Sequence, residues 1–181
     1  MPADGPELRR LPSDALTPAL RSELRDLLEA AFEGDFSDED WAHTFGGTHA
    51  LLLGAEGGAL LAHASVVPRR LWIGEAEVDA GYVEAVAVRP NQQGSGLGTR
   101  IMRTLEPALD HFPLCALSTS SHAFYSRLGW RRWRGPSWVR DADGVRARSP
   151  DEDGGIMVRA VDKQMDLTAD ICCEARDGDD W

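Results

Sequence analysis

The apolar positions of this chain change period along its length, and the changes predict alternating strands and helices. Leu8 to Leu11 reads as a first strand. Thr17-Pro18 then opens a helix, with proline at the first helical position and Leu20, Leu24, Leu27, Leu28 and Ala31 along one stripe. Ser37 is placed to cap a short helix through Trp41, with Asp38 and Glu39 favourable in its first turn. His49 to Leu53 and Ala59 to Val67 read as a hairpin about Glu56-Gly57-Gly58, and Leu71 to Ile73 continues that strand or begins another, ending at Gly74. The run Tyr82 to Val88 is a buried strand by its β-branched and apolar content. A helix over Gly98–Leu109 follows, with Ile101, Met102 and Leu105 on one face and Pro107 as a candidate early stop. Beyond it come a strand at Leu114–Leu117, a short helix around Tyr125 closed by Gly129, and strands near Trp130–Trp133 and Ile156–Val161. Arg140 to Gly155 reads as a polar loop, and residues 166–181 carry no clear period. This order suits an α/β fold, a mixed sheet flanked by helices.

Composition narrows the setting. A chain of 181 residues with 43% hydrophobic content fills one domain, taken here as 1–181. The start, Met1 to Pro6, lacks the basic and apolar regions of a signal peptide, and no apolar run approaches the ~20 residues of a membrane span. Cys115, Cys172 and Cys173 form no metal or disulfide spacing, so they read as thiols in a reducing, cytoplasmic setting. Five histidines, His43, His49, His63, His111 and His122, show no ligand spacing with cysteines, so no metal is expected. Thirty acidic against nineteen basic residues give a formal net charge of −11, which argues against a nucleic-acid partner. The excess serves either solubility or a cationic substrate.

Candidate chemistry concentrates after the Tyr82–Val88 strand. Strand, glycine-rich turn and helix make an anion site: glycines let several N–H groups point one way, and the helix start adds partial positive charge. The turn lacks the Gly-Lys-Ser/Thr of a P-loop, and Gly94, Gly96 and Gly98 miss the dinucleotide spacing. It fits Gln-x-x-Gly-x-Gly, from Gln93 through Gly96 to Gly98. Glu84 lies two residues before Val86 and four before Val88, so alternation puts all three on one face of the strand. A carboxylate inside an apolar run needs a partner or a task.

The Gln93–Gly98 turn resembles the pyrophosphate loop of the GNAT superfamily of N-acetyltransferases, and Tyr125 to Trp130 is similar to that superfamily's Tyr-x-x-x-Gly-Phe/Trp signature. Further landmarks resemble the aminoglycoside 2′-N-acetyltransferases: Phe32 to Phe36, His43 to Gly47, Gly81 to Ala85, Leu117-Ser118, Asp151 to Gly154, and Arg176 to Trp181. The likeness runs from about Leu8 to Trp181; Thr48 and the Ala142–Arg148 loop depart from it. It implies a GNAT-like acyl-CoA N-acyltransferase fold, with a mixed, mostly antiparallel central sheet splayed in the middle and flanked by helices. It implies acetyl-CoA (CoA) as co-substrate, held by Val86, Ala87 and Val88 along the pantetheine and by Gln93, Gly94, Ser95, Gly96, Leu97 and Gly98 at the pyrophosphate. The implied acceptor is the 2′-amine of an aminoglycoside, or another polycationic amine, contacted by Asp35, Glu84, Ala85, Ser118, Asp151, Glu152, Asp179 and Trp181, the last with its indole and its α-carboxylate as one unit. Glu84 is then the general base, through a water, and Tyr125 the proton donor to the leaving thiolate, whose thiol titrates near ~8.5. A backbone N–H of the strand would stabilise the oxyanion. The resemblance further implies a homodimer and a part in aminoglycoside resistance. An N-acetyltransferase for a polyamine, a peptide N-terminus or a cell-wall amino sugar remains open, as does a non-catalytic acyl-CoA sensor on the same fold.

Overall fold

The computed structural model describes residues 5–181, so Met1 to Asp4 of the opening segment lie outside the described residues. The chain divides into two compact units. One joins the residues up to Val67 with Val83–Asp110; the other joins Pro68–Tyr82 with His111–Trp181.

The first unit opens with β1 (Glu7–Pro12), then α1 (Pro18–Ala31) and α2 (Asp38–His43). Thr17 accepts the Leu20 N–H at 3.3 Å, and Pro18 pre-sets the first turn of α1. Ser37 and Asp40 form a reciprocal capping box on α2. β2 (Thr48–Leu53) pairs antiparallel with β1, from Pro12↔Thr48 to Glu7↔Leu53, and with the first half of β3 (Leu60–Ile73). The expected hairpin about Gly57 is therefore present. Gly47 is required by space: a Cβ there would lie 1.9 Å from the Val66 carbonyl oxygen. The α1 stripe works as its spacing predicts, with Leu24, Leu27 and Leu28 fully buried against Leu51, Leu53 and Leu60. The end of β4 (Ala76–Val88) adds Ala87 to this core. α3 (Leu97–Leu109) packs on β1 and β2 through its apolar face. It does not stop early: Pro107 sits exposed in its last turn. A proline there removes only one helical hydrogen bond, and the buried Leu105, Ala108 and Leu109 hold the turn.

In the second unit the strand order is β6-β9-β5-β4-β3-β10-β7-β8. Its members are the inner ends of β3 and β4, then β5 (Leu114–Ser118), β6 (Arg131–Arg132), β7 (Ser137–Arg140), β8 (Arg146–Arg148), β9 (Ile156–Ala160) and β10 (Ile171–Glu174). The helix α4 (His122–Arg127) lies between β5 and β6 in the chain. β4 runs parallel to β5 over three pairs, ending at Tyr82↔Ala116, and β10 is parallel to β7. β5–β9, β6–β9, β7–β8 and β3–β10 are antiparallel. Three expectations are corrected. Residues 140–155 are not a plain loop: they complete the β7–β8 hairpin and a 3-10 turn at Pro150–Glu152. The stretch without a period carries β10, an inner strand. And β4 begins at Ala76, six residues earlier than its apolar run. Cys115, Cys172 and Cys173 are fully buried in β5 and β10.

Candidate active site

Within the first unit the chemistry-bearing strand is not regular. Ala85 has φ 50°, in the left-handed region, which costs a residue with a Cβ roughly 1–2 kcal/mol. The step is tied down on both sides by β3 side chains. Ser65 Oγ donates to the Glu84 carbonyl at 3.3 Å, and His63 Nδ1 donates to the Ala85 carbonyl at 2.8 Å. Around the kink, Val83 and Ala87 are buried, whereas Glu84, Val86 and Val88 are half-buried. The strand end is fixed by Arg89, whose N–H bonds the Leu61 carbonyl at 2.8 Å and whose Nε bonds the Leu60 carbonyl at 2.9 Å.

The turn that follows is built from backbone. Gln93 reaches back with Nε2 to the Val88 carbonyl at 3.3 Å, and Ser95 Oγ donates to the Gln92 carbonyl. Gly94 and Gly96 have φ 77° and 82°, and a Cβ at either would meet nothing within 4 Å. Glycine is needed here for the dihedral alone. Gly96 caps the 13-residue α3 without any side-chain hydrogen bond, so the first N–H groups of the helix have no side-chain cap. Donors without a side-chain cap on a helix start, beside glycines, fit a pyrophosphate. Asp35 is exposed just beyond α1, whose end is closed by the Gly34 N–H to the Glu29 carbonyl at 3.0 Å.

In the second unit, several acceptor-contact candidates are linked. Ser118, at the end of β5, donates to Glu152 Oε2 at 2.7 Å. Glu152 closes the 3-10 turn that Ser149 precedes. Ser149 Oγ accepts the indole N–H of Trp181 at 3.2 Å. Trp181 is only 7% exposed, with its ring 6.5 Å from that of Tyr82. One chain of contacts thus joins Ser118, Glu152, Ser149 and Trp181. Asp151 and Asp179 point to solvent in the same unit. The carboxylate that organises the acid loop is instead Asp153. It accepts from the Ser137 N–H and hydroxyl, both at 2.8 Å, and from Arg148 at 2.6 Å. Partial burial pushes Asp153 up, but the Ser137 bonds and the Arg148 charge outweigh it and hold its carboxyl below the usual range.

Arg69 fastens the tail. Its guanidinium donates to the Asp180 carbonyl and to the Glu174 carbonyl, each at 2.7 Å, and stacks over Tyr82 at 4.9 Å. Cys173 Sγ also reaches the Asp180 carbonyl, at 3.3 Å. Arg176 closes the tail on itself, with N–H to Asp180 Oδ1 at 2.9 Å and Nε to the Asp179 carbonyl at 2.6 Å. Tyr125 is buried on α4 between Phe124 and Trp130, and burial pushes its phenol up to about 12. The reading from sequence missed Arg69, Ser149 and Asp153. A lone arginine between strands carries no motif, and Asp153 differs from Asp151 only in its partners.

Residues 14–133 match the model of the acetyltransferase (GNAT) domain family. The chain is 45% identical over 168 residues to an aminoglycoside 2′-N-acetyltransferase of Mycolicibacterium fortuitum, covering 89% of this chain and 85% of that one. It belongs to the GNAT family, in the branch of the aminoglycoside 2′-N-acetyltransferases. Solved GNAT structures carry the same fold at low identity. One from Escherichia coli, in complex with CoA, has a TM-score of 0.69 at 16% identity, over 96% of this chain and 92% of that chain. One from Brucella melitensis, in complex with acetyl-CoA, has a TM-score of 0.62 at 20% identity, over 93% and 96%. Among the described residues no cluster of histidine, cysteine, aspartate or glutamate could hold a metal ion, and no helix is long and apolar enough to cross a membrane.

Proposed function

We propose that the protein transfers the acetyl group of acetyl-CoA to the 2′-amine of an aminoglycoside. The observation that carries this reading is the 45% identity to the M. fortuitum enzyme across nearly the whole chain. The linked set Ser118–Glu152–Ser149–Trp181 and the net charge of −11 support a polycationic acceptor. In this reading residues 1–181 act as one catalytic domain.

The co-substrate supplies an acetyl group activated as a thioester; the chain's residues bind it, orient the amine and move protons. The turn Gln93–Gly98 binds the pyrophosphate, and the backbone of Val86, Ala87 and Val88 pairs with the pantetheine amides. Asp35, Ser118, Asp151, Glu152, Asp179 and Trp181 hold the drug, whose ammonium groups meet carboxylates. Glu84 takes a proton from the 2′-ammonium through a water, freeing the lone pair that attacks the carbonyl carbon. Tyr125 stays protonated at neutral pH, because burial lifts it to about 12. A thiol near ~8.5 is the stronger acid by about 3.5 pKa units, so full transfer from Tyr125 is uphill by roughly 5 kcal/mol. Its part is to donate a hydrogen bond to sulfur as the C–S bond breaks, with solvent supplying the final proton. A cytoplasmic homodimer that protects its host against aminoglycosides completes the reading.

The test is a thioester-cleavage assay against a panel of aminoglycosides with and without a 2′-amine, polyamines, peptide N-termini and amino sugars. Turnover confined to acceptors with a 2′-amine supports the proposal. Faster turnover of another amine moves the substrate class, and no turnover with any amine leaves an acyl-CoA sensor.

A further inference from the structure

The first unit buries two histidines, His49 and His63, each with no exposed surface, on strands where leucine and alanine otherwise fill the core. Their contacts form one line. Ser13 Oγ lies 2.7 Å from His49 Nε2, His49 Nδ1 lies 2.9 Å from His63 Nε2, and His63 Nδ1 lies 2.8 Å from the Ala85 carbonyl oxygen. We propose that Ser13, His49 and His63 form a one-way hydrogen-bond relay that locks the Glu84–Ala85 kink of β4, and that all three are positioning residues for acetyl transfer.

The direction follows from which atoms can donate. The Ala85 carbonyl can only accept, so His63 carries its proton on Nδ1. His63 is neutral, because burial, then the neighbouring His49, push it down to about 3 despite the Ala85 carbonyl. Its Nε2 is therefore an acceptor, and His49 must donate from Nδ1. His49 is neutral too, held down to about 4 by burial and then by the Arg21 charge. Its Nε2 accepts in turn, and the Ser13 hydroxyl proton points at it. Ser13 Oγ then has lone pairs for the Gly46 N–H at 2.9 Å and the Gly47 N–H at 3.2 Å. The Gly47 carbonyl at 3.2 Å is a longer alternative for the hydroxyl, and choosing it would strand His49 Nε2. Every polar atom of the line is satisfied in one arrangement only.

The surroundings fix that arrangement. Arg21 donates to the Ser13 and Leu16 carbonyls at 2.8 and 3.2 Å and stacks on Phe45, whose ring is 5.3 Å from that of His49. Among the described residues, the charge that bears on His49 is that of Arg21, and its sign keeps the imidazole neutral. The relay ends on the one residue of β4 with a positive φ, directly after Glu84. With Ser65 on the Glu84 carbonyl, both peptide oxygens of the kink are held by β3 side chains. The relay thus sets the backbone from which the proposed base projects. The proposal rests on the reading of Glu84 as base, but its first test does not.

That first test is the 15N spectrum of histidine-labelled protein at pH 7, without ligand. Both buried imidazoles should be neutral Nδ1–H tautomers. An Nε2–H tautomer or a charged ring at either position overturns the relay whatever the substrate. The second test uses the acceptor that the amine panel selects. His63→Leu removes the donor to Ala85 and should lower kcat by about tenfold to a hundredfold, the loss that goes with a misplacement of about 1 Å. Acceptor KM should move by less than about threefold, because the acid loop and tail are untouched. His63→Asn can still donate to the Ala85 carbonyl and should recover most of kcat. An unchanged kcat in folded His63→Leu, or equal loss in His63→Asn, overturns the positioning role. Should His63→Leu fail to fold, Ser13→Ala decides at the far end of the line: kcat lowered at constant Tm supports the relay, and unchanged kcat refutes it.

Discussion

Replacing Arg69 by methionine isolates what fastens the tail. Methionine keeps the apolar stem and removes the guanidinium. Two hydrogen bonds to the carbonyls of Asp180 and Glu174, each at 2.7 Å, are lost, with the stacking on Tyr82. Bonds from a charged donor are worth about 1.5–3 kcal/mol each, and the stacking about 0.5–2 kcal/mol. The site is part-buried, so water regains some of the stranded carbonyls, and a net loss of about 2–4 kcal/mol is expected. Cys173 and Arg176 still hold Asp180, so the strand β10 stays paired while the segment beyond it opens more often. At 1.4 kcal/mol per tenfold, opening rises roughly 30- to 1000-fold. Hydrogen exchange followed by mass spectrometry on a peptide spanning 175–181 should register that loss of protection, with a β9 peptide as the internal reference. Acceptor KM should rise in parallel, since Trp181 and Asp179 travel with the tail, while acetyl-CoA binding stays constant. Equal protection of the tail in both proteins refutes the assignment of Arg69 as its fastener.

Other expectations follow from the same geometry. Gly96→Glu places a side chain at φ 82° and a negative charge at the turn, so calorimetry should find acetyl-CoA affinity weakened by about tenfold or more; unchanged affinity removes the turn from the coenzyme site. Glu84→Gln should cut turnover by about 10²–10⁴-fold and abolish the acidic limb of the rate profile, whereas Tyr125→Phe should slow turnover with coenzyme binding intact. If both keep full single-turnover rates, neither serves the chemistry. Stability should fall with acid. An unfolded histidine takes a proton below about 6.5, but folded His49 stays neutral until about 4, so the loss begins near pH 6.5 as pH falls and levels off near 4. At pH 5 His49 alone accounts for about 2 kcal/mol. Denaturant midpoints at pH 7 and 5 should differ accordingly in the parent protein and by clearly less in His49→Phe.

Much of the architecture is legible wherever a face is buried on one side only. The α1 stripe, the capping residues Thr17 and Ser37 and the hairpin about Gly57 follow directly from spacing and turn chemistry. β10 escapes the same reading because Ile171, Cys172 and Cys173 are all buried, so no alternation marks the strand, and its neighbours β3 and β7 are remote in sequence. The β7–β8 hairpin hides for the opposite reason. Its arginines look solvated, yet Arg140 stacks over Trp72 and Arg146 over Trp138. The glycine turn and Tyr125 are readable because backbone and aromatic requirements leave a local signature. The Ala85 kink is not: alanine has no propensity for a positive φ, and what holds it are His63 and Ser65, some twenty residues upstream.

The buried thiols bear on how the protein can be handled at the bench. Burial pushes Cys173 up to about 12 and raises Cys172 despite the nearby arginines, while Cys115 has no exposed surface. Thiolates, not thiols, attack disulfide reagents. A chromogenic aromatic disulfide mixed with the folded protein should therefore count only the coenzyme thiol freed at each turnover. The same reagent becomes a clock once β5 and β10 come apart, because each opened molecule then reports up to three new equivalents of colour. One cuvette can read both the enzyme's work and the moment at which it ceases to be folded.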